Sequence, residues 1–404
     1  MAKKKKNKTK QNQGWKTLTE TERLLNVAQI MNQCIQEQPI VLPQKTYLLV
    51  PDSGLESMKS FLIHSSNSGA LMSSEVFASM YAIRELTNDL AKTLGFTVIT
   101  DEDECDHDGE IYELYGHNIG YDEELMDVAA AIPNLNIPLS MDINTYLLAP
   151  FFPAVFKNFT TDRGEDIYLI ENQEQLEKII SILEKEGSKK LELWDEFVVQ
   201  QYINQHLDTP CSLRVLITCT GEIIASSFLV NTGTPQKRRV KVFGLGEVFN
   251  PCELLNQQNS PYFIESRNIT SNSINGAKRI ILDGKAKKSQ LSHKERELLT
   301  LHGLDINNLK LPDSLVPLCE QIALFLGSKR GLVMGLDFIL DSKTDKWYYL
   351  EANRNPSVAT FRDYYKLNQL KDYEAVAVML LQGLLSIVRY SLANDMQLSK
   401  HQLL

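Results

Sequence analysis

Apolar residues in this chain fall into short runs that are separated by polar, turn-forming residues. In the N-terminal part, the strand-like runs 46–52 and 96–100 flank a segment, 74–94, with apolar residues at helical spacing. A further helical spacing occupies residues 20–37. The order of strand, helix and strand predicts a small α/β unit before about residue 134.

The pattern changes after about residue 150, where strand-like runs follow one another with short connections. Consecutive candidates are 197–203, 212–218 and 222–230, and CTGE (219–222) between the last two is typical of a hairpin turn. Helical spacing returns at 291–302, 312–327 and 370–394. This part is therefore predicted to form consecutive strands with short turns, followed by helices.

Two acidic residues interrupt the apolar runs of a predicted β-hairpin. LVMGLDFIL and KWYYLEAN flank the polar turn DSKTDK, and a turn centred on Thr344 places Asp337 opposite Glu351. Directly opposed residues have Cβ atoms about 4.5–5.5 Å apart. Asn353 lies two residues beyond Glu351 and therefore shares its face.

Two carboxylates at that distance repel each other unless a cation or a proton lies between them. Oxygen ligands of this type suit Mg²⁺, which commonly uses one or two carboxylates together with substrate phosphates. The alternative is an exposed hairpin face on which the charges are harmless. Arg354, Asn355 and Pro356 directly after the strand, and Lys157 upstream, favour the metal site.

Composition and charge limit the class of protein. The chain has 404 residues, of which 43% are hydrophobic and 23% charged, so we expect two or three domains. The net charge of −9 argues against nucleic-acid binding over the whole surface. The lysine-rich segment 1–18 is predicted to be a solvated, disordered tail, with an arm for nucleic acid or an acidic partner as the alternative. No apolar run is long enough to predict a membrane span.

Cysteine and acidic clusters add little chemistry. The six cysteines are scattered without a CxxC pair, which predicts reduced thiols in a cytoplasmic protein. The acidic segment 101–109 could bind a divalent cation, but it lacks the Gly and the final Glu of an EF-hand loop. A solvated acidic loop is the favoured interpretation.

At the hairpin the residues resemble a known superfamily. GLDFIL followed by YYLEANRNPS looks like the C-terminal metal-binding hairpin of the ATP-grasp ligases. Over residues 135 to 385, further motifs follow in that family's order: PAVFKN, TDRG, FVVQQYI, SLRVLI and NITSNSINGA. SLRVLI is similar to a strand of the glutathione-synthetase and ribosomal-protein-modifying branches.

The resemblance implies a fold and its boundaries. The fold class is α+β or α/β, in the ATP-grasp arrangement of an N-terminal α/β unit, a small lid domain and a larger C-terminal domain with an antiparallel sheet. The expected segments are the tail 1–18, the N-terminal unit 19–134, the lid 135–205, the catalytic part 206–394 and a C-terminal tail 395–404.

The resemblance also implies roles for individual residues. Lys157, Arg163, Gly164 and Asn272 would contact the nucleotide phosphates, and Gln200, Gln201, Tyr202 and Ile203 would hold the adenine. Arg214 would face the transferred phosphoryl group. Arg239, in the basic cluster 237–241, would neutralise a substrate carboxylate or a phosphate, or would belong to a solvated loop. The metal ligands would be Asp337, Glu351 and Asn353.

The implied reaction joins a carboxylate to an amine or a thiol through an acyl phosphate. ATP and Mg²⁺ (or Mn²⁺) would be required, ADP and phosphate released, and the substrates small, amino-acid-like or peptide molecules. Lys and Arg are absent between Lys92 and Lys157, where the family usually carries a further basic residue, and this leaves open a nucleotide-binding regulatory protein of synapsin type. Gly335 stands in place of the arginine of the D-alanine–D-alanine ligase branch, which disfavours dipeptide ligation of that kind. The oligomeric state stays open, a homodimer included.

Overall fold

The structure of the protein, a computed structural model, describes most of the chain after residue 40. All described residues belong to one unit, Ile40–Leu404. The tail 1–18 and the helix predicted at 20–37 lie outside them. The described residues are 42, 45–50, 84–85, 87–105, 109–114, 121–158, 167–186, 197–232, 237–241, 263–267, 269, 277–284, 290–354, 356, 358–370 and 372–401.

The N-terminal part of the described chain contains a parallel sheet. β1 (Thr46–Leu49) lies between β2 (Thr97–Ile99) and β3 (Glu110–Glu113) and pairs with both in parallel. β1 is buried along its whole length, as a central parallel strand is expected to be. Residues 87–93 are helical and run into β2, so the predicted order of strand, helix and strand is confirmed. The helix α1 (Tyr121–Ala131) follows.

An antiparallel sheet of four strands comes next, in the order β4-β7-β5-β6. Two helices pack on one face of this sheet, and large side chains such as Tyr146, Phe156 and Tyr168 fill the space between them. The Tyr146 hydroxyl donates a hydrogen bond to the Phe151 carbonyl, which satisfies its polar group inside the core (2.9 Å). The elements are β4 (Ser140–Asp142), α2 (Ile143–Leu148), β5 (Ala154–Asn158), β6 (Ile167–Ile170), α3 (Gln173–Glu186) and β7 (Phe197–Gln201).

The larger sheet has five antiparallel strands in the order β12-β9-β8-β13-β14. Gly221 has a φ of 87° in the turn between β8 and β9, where a hairpin was predicted. The predicted hairpin of β13 and β14 is also present. The strands are β8 (Cys211–Thr218), β9 (Ile223–Val230), β12 (Lys278–Ile281), β13 (Val333–Asp341) and β14 (Lys346–Asn353).

A separate antiparallel ribbon lies in the chain between β9 and β12. It pairs β10 (Lys237–Lys241) with β11 (Phe263–Arg267), so the basic cluster 237–241 is a strand rather than an irregular loop. The remaining helices are α4 (His293–Leu301), α5 (Val316–Leu326), α6 (Val358–Tyr364) and α7 (Asp372–His401).

The long helix α7 packs closely against the five-stranded sheet. A Cβ at Gly383 would lie 2.8 Å from the Leu332 side chain, so glycine permits this close approach. Within α7, Glu374–Asn394 is long and apolar enough to cross a membrane, but 72% of the most apolar window is buried inside the protein. That burial is typical of a core helix. The helix runs to His401, beyond the end predicted at residue 394, since residues 395–401 contain neither Gly nor Pro.

The structure thus confirms the mixed architecture of helices with parallel and antiparallel sheets. The four cysteines in the described part, Cys105, Cys211, Cys219 and Cys319, are free thiols, as predicted. In the acidic segment, residues 102–104 form an exposed helical turn that Asp101 and Glu104 cap at its beginning.

Candidate active site

The β13–β14 hairpin brings the two acidic residues together. Asp337 pairs directly with Glu351, so the predicted partnership is confirmed. The predicted centre of the turn at Thr344 is wrong, because Asp341 pairs with Lys346 and the turn is centred between Lys343 and Thr344. A β-bulge after Asp337 corrects the register, since Phe338 faces Tyr349 and Leu350 is the extra residue.

The bulge also decides which side chains reach the cavity beside the hairpin. In a regular strand, Leu350 and Glu351 would point to opposite faces of the sheet. Here both residues line the same cavity. The bulge therefore places an apolar side chain and a carboxylate next to each other on the same wall.

Arg214 neutralises Asp337 from the neighbouring strand. The two residues are direct partners across β8 and β13. Arg214 donates from Nε to Asp337 Oδ1 (2.8 Å) and from Nη2 to Oδ2 (2.6 Å), a bidentate pair. Asn353 Nδ2 donates to Asp337 Oδ2 (3.0 Å) and to Glu351 Oε1 (3.1 Å). One amide thus bridges the two carboxylates.

Lys157 approaches from the other sheet. It lies on β5, and its Nζ forms an ion pair with Glu351 Oε2. The two side chains are 15% and 26% exposed, so water reaches this pair. The cluster therefore joins the four-stranded sheet to the five-stranded sheet through opposite charges.

Burial and charge act differently on the two carboxylates. Burial raises the pKa of Asp337, and the charge of Arg214 opposes that shift. Burial also acts to raise the pKa of Glu351, but Lys157 and Asn353 outweigh it and lower this pKa. Burial acts to lower the pKa of Arg214, but Asp337 outweighs it, so the pKa of Arg214 is raised and the guanidinium keeps its charge.

The donor set fits a hard divalent cation in part. Among the described residues, no group of three or more His, Cys, Asp or Glu side chains is placed to hold a metal ion. Asp337, Glu351 and the amide of Asn353 supply oxygen donors, and the remaining ligands would have to come from phosphates or water. That division is the usual one for Mg²⁺.

The cavity lies between the four-stranded and the five-stranded sheets. One part is charged and is lined by Lys157, Arg214, Asp337 and Glu351. Another part is apolar, with Val155 and Ile167 from the four-stranded sheet and Ile339 and Leu350 from the hairpin. A space with apolar walls beside charged groups suits a molecule that carries both an apolar and an anionic part.

The end of β7 and the segment that follows it border the cavity. Gln200, Gln201, Tyr202 and Ile203 all line the cavity. The Gln201 N–H already donates to the Leu139 carbonyl (2.8 Å), and the Gln200 amide donates to Ser140 Oγ (2.9 Å).

Hydrogen bonds hold this segment against the hairpin turn. Asn204 N–H donates to Asp341 Oδ1 (3.2 Å), and Ser342 N–H donates to the Asn204 carbonyl (2.8 Å). Thr344 Oγ1 donates to the other oxygen of Asp341 (2.7 Å). Asp341 thus holds the segment after β7 against the hairpin turn.

The other residues of the sequence prediction are not part of the described cluster. Arg163, Gly164 and Asn272 lie outside the described residues. Arg239 is in β10, where its backbone pairs with Glu265 of β11, and its side chain is outside the description. Their roles stay predictions.

Sequence reasoning missed several residues that line the cavity. Arg279 of β12 is the charged one, and Ser212, Leu229 and Thr360 lie in the same lining. A signal for Arg279 was its position in a short strand-like run, AKRIIL, where a charge is unusual. The pairing of β12 with β9 could not be read from the local pattern.

Comparisons with known proteins find remote structural similarity. No family model matches the sequence, and no curated protein matches it. The solved structure of the ATP-grasp ligase PsnB with a minimal precursor is similar with 11% identity and a TM-score of 0.36, covering 85% of this chain and 100% of that chain.

Two further solved structures have similar values. The D-alanine–D-alanine ligase from Bacillus anthracis matches with 11% identity and a TM-score of 0.36, over 85% of this chain and 97% of that chain. The VanG D-Ala:D-Ser ligase from Enterococcus faecalis matches with 11% identity and a TM-score of 0.35, over 67% of this chain and 61% of that chain.

All three of these solved structures are ligases, and PsnB is described as an ATP-grasp ligase.

Proposed function

We propose that this protein is an ATP- and Mg²⁺-dependent ligase that joins a carboxylate to an amine, or to a thiol, and releases ADP and phosphate. The observation that supports it is the convergence of Lys157, Arg214, Asp337 and Glu351 from two sheets beside an apolar part of one cavity. The substrates we expect are amino-acid-like or peptide molecules.

The reaction needs ATP because a carboxylate does not react with an amine at neutral pH. A carboxylate oxygen attacks the γ-phosphorus of ATP, the bond to the β–γ bridging oxygen breaks, and ADP leaves with that electron pair. The amine then attacks the carbonyl carbon of the acyl phosphate. Phosphate leaves, and the amine nitrogen loses a proton to solvent. Both steps depend chiefly on positioning and on neutralising charge.

Each charged residue has a role in this scheme. Lys157 would bind a phosphate oxygen as a compact charge, exchanging Glu351 for the nucleotide. Arg214, whose Nε and Nη2 hold Asp337, would present its Nη1 group to the transferred phosphoryl group. Asp337, Glu351 and Asn353 would hold Mg²⁺, which neutralises charge on the phosphates when it is bound. The apolar walls at Ile167, Ile339 and Leu350 would receive the adenine.

The experiment is an assay of ADP and phosphate with purified protein, MgATP and a panel of acid and amine pairs. We expect at least one pair to release ADP and phosphate in equal amounts. Glu351→Gln should abolish this release, and Lys178→Gln, at an exposed position of α3 outside the cavity lining, should retain it. Release of AMP and pyrophosphate would contradict the proposed mechanism.

A nucleotide-binding regulatory protein without ligase activity is the second candidate. It is favoured by the absence of Lys and Arg between Lys92 and Lys157, which removes a source of phosphate contacts. The two candidates differ in one measurement. If MgATP binds tightly, no pair in the panel releases ADP, and Glu351→Gln still binds ATP, the binding protein is the better description.

A further inference from the structure

One charged residue in the cavity has no place in the scheme above. Arg279 lies on β12, an edge strand of the five-stranded sheet, where it pairs with Leu229 of β9. It lines the same cavity as Arg214 and Asp337. Removing an arginine from water costs free energy unless its hydrogen-bonding groups find partners in the protein.

The partners of Arg279 are incomplete. Its Nη1 forms an ion pair with Asp363 Oδ2 of α6 at 3.2 Å, and its side chain is 17% exposed. Its Nε is buried and has no hydrogen-bond partner among the described residues. The Nε edge of the guanidinium is one side of the fork that binds carboxylates in a bidentate manner.

The surrounding charges do not neutralise this guanidinium fully. Burial lowers the pKa of Arg279, Asp363 opposes that shift, and the positive charges of Arg214 and Arg362 add to it. The Asp363 side chain is 36% exposed, so water weakens its attraction. An anion in the cavity would therefore gain charge attraction as well as a free donor.

The sheet register places Arg279 away from the phosphate-binding centre. Leu229, its partner on β9, pairs in turn with Ser212 of β8, and Arg214 lies two residues further along β8 on the same face. Arg279 is thus two strands from β8, a lateral distance of about 10 Å at the usual strand spacing. It stands on the side of Arg214 that is opposite to Asp337, Glu351 and Lys157.

We propose that Arg279 binds a substrate carboxylate that is not the one activated by ATP. This inference rests on the proposed function and names the chemical class of its substrate: a molecule with a fixed, non-reacting carboxylate. The reacting carboxylate has to meet the γ-phosphoryl group beside Arg214, whereas Arg279 is two strands further. The anchoring carboxylate belongs either to the acid or to the amine substrate, and the experiment separates these two sources.

The chemistry of the surroundings favours a carboxylate over a second phosphate. Asp363 already occupies one end of the guanidinium, so the remaining charge suits a monoanion better than a dianion. Leu229, the strand partner of Arg279, and Thr360, on the same helix as Asp363, also line the cavity and offer an apolar wall and one hydroxyl group. Thr360 Oγ1 and Ser227 Oγ lie within hydrogen-bonding distance of each other (3.1 Å), which ties α6 to the sheet.

The test compares matched ligands that differ in one carboxylate. Binding is measured by calorimetry in the presence of Mg²⁺ and a non-hydrolysable ATP analogue. One arm uses succinate and glutarate with their monomethyl esters, to probe the acid substrate. The other arm uses the common amino acids with their amides, to probe the amine substrate. We expect at least one free acid to bind about 10- to 100-fold more tightly than its ester or amide, the effect of a charge-assisted bidentate contact.

Variants then locate this preference. Arg279→Gln should abolish it and leave the affinity for the ATP analogue within about 3-fold, and Arg279→Lys should keep part of it. Asp363→Asn removes the competing anion, so it should tighten binding of the free acid slightly. Arg389→Gln, on the exposed surface of α7, is the control for a loss of a surface charge.

The outcomes separate the two proposals. Failure of the wild-type protein to bind the ATP analogue would overturn the proposed function, and this inference with it. Normal nucleotide binding with no preference for any free acid would overturn the role of Arg279 alone. A preference for the free acid that survives in Arg279→Gln would also overturn this role, and so would a loss of that preference in Asp363→Asn as large as in Arg279→Gln. A loss of nucleotide binding in Arg279→Gln would overturn it too, because Arg279 would then be a phosphate contact.

Discussion

The two ion pairs of the site differ in how the fold creates them. Arg214 and Asp337 are direct partners on neighbouring strands of one sheet, so the register of β8 and β13 is enough to bring them together. Lys157 and Glu351 come from different sheets, and they meet because the four-stranded sheet lies over the hairpin. The first pair is a property of one sheet, whereas the second reports how the two sheets are apposed.

Their geometry and the burial of their carboxylates differ in the same sense. Arg214 holds Asp337 through two hydrogen bonds, and the two side chains are 22% and 9% exposed. Lys157 meets Glu351 through one ammonium group, and the two side chains are 15% and 26% exposed. The bidentate pair on the more buried carboxylate loses two charged contacts when a partner is removed, whereas water can replace the partner of the more exposed Glu351. We therefore expect the first pair to support the fold and the second to serve the ligand.

The largest effect should follow from Asp337→Asn. This change removes the charge from the carboxylate that accepts two hydrogen bonds from Arg214, so the free energy of unfolding should fall by about 3 kcal/mol. Ligase activity should be lost as well, because a metal ligand is removed. Urea denaturation followed by circular dichroism measures the first effect. Asp313→Asn, at an exposed position, is the control, and equal stability of the two variants would show that the buried pair does not support the fold.

Lys157→Gln should separate function from stability. Water can solvate Glu351 in this variant, so the free energy of unfolding should change by no more than about 1 kcal/mol. Affinity for the magnesium complex of the ATP analogue should fall roughly 10- to 100-fold, the effect of losing a charged hydrogen bond. Calorimetry measures the affinity, and Lys178→Gln is the matched control. A loss of stability as large as that of Asp337→Asn would remove the distinction between the two pairs.

A third prediction concerns a buried histidine beside the five-stranded sheet. His302 Nδ1 donates to the Leu298 carbonyl (2.6 Å), and its ring packs against Phe228 and Trp347. Burial lowers the pKa of His302 to about 4, so the imidazole is neutral in the folded protein. The unfolded chain binds a proton below a pH of about 6.5, and folding stability is therefore lost as the pH falls through that range.

Between pH 7 and pH 5 this loss should be about 2 kcal/mol. Urea denaturation at both pH values measures it. His302→Gln keeps a donor for the Leu298 carbonyl but does not titrate, so its stability should depend less on pH by that amount. An unchanged pH dependence in His302→Gln would show that the coupling lies elsewhere. If the loss of stability at low pH arises in the five-stranded sheet, the strands that hold Arg214 and Asp337 should be destabilised over the same pH range.

The sequence predicted those parts of the site that depend on local pattern. Alternation and the polar turn were enough to pair Asp337 with Glu351, and motif order was enough to choose Lys157 as their neighbour. The bulge at Leu350 was not predictable, because it appears as one residue too many in an otherwise regular strand. The pairing agreed with the prediction because the shifted centre of the turn and the bulge compensate each other.

Other parts depend on contacts between distant segments. β3 was missed because Glu110 and Glu113 leave no apolar run, and its pairing with β1 forms the strand. Arg279 was missed for the same reason: its position in the cavity follows from the pairing of β12 with β9 and from the closure by α6. Local propensity does not contain this information.

The smallest predicted effect concerns the link between the two sheets. Asp341 accepts hydrogen bonds from Asn204, Lys343 and Thr344, and so holds the segment after β7 against the hairpin turn. Asp341→Asn keeps the size of the side chain but weakens these charged acceptor contacts, at a cost of about 1 kcal/mol. Asp341 is the last residue of β13, four residues beyond Asp337, so we expect the pairing of Arg214 with Asp337 to survive this change and the approach of Lys157 to Glu351 to loosen.

Hydrogen exchange should therefore increase in residues 201–205 of Asp341→Asn and stay unchanged in β8 and β13. Affinity for the ATP analogue should fall about 3-fold, much less than in Lys157→Gln, because the phosphate contact is retained and only its positioning is loosened. Asp345→Asn, in the same turn, is the control. Faster exchange in β13 would mean that the turn supports the hairpin itself, and then the two ion pairs would depend on one structural unit rather than two.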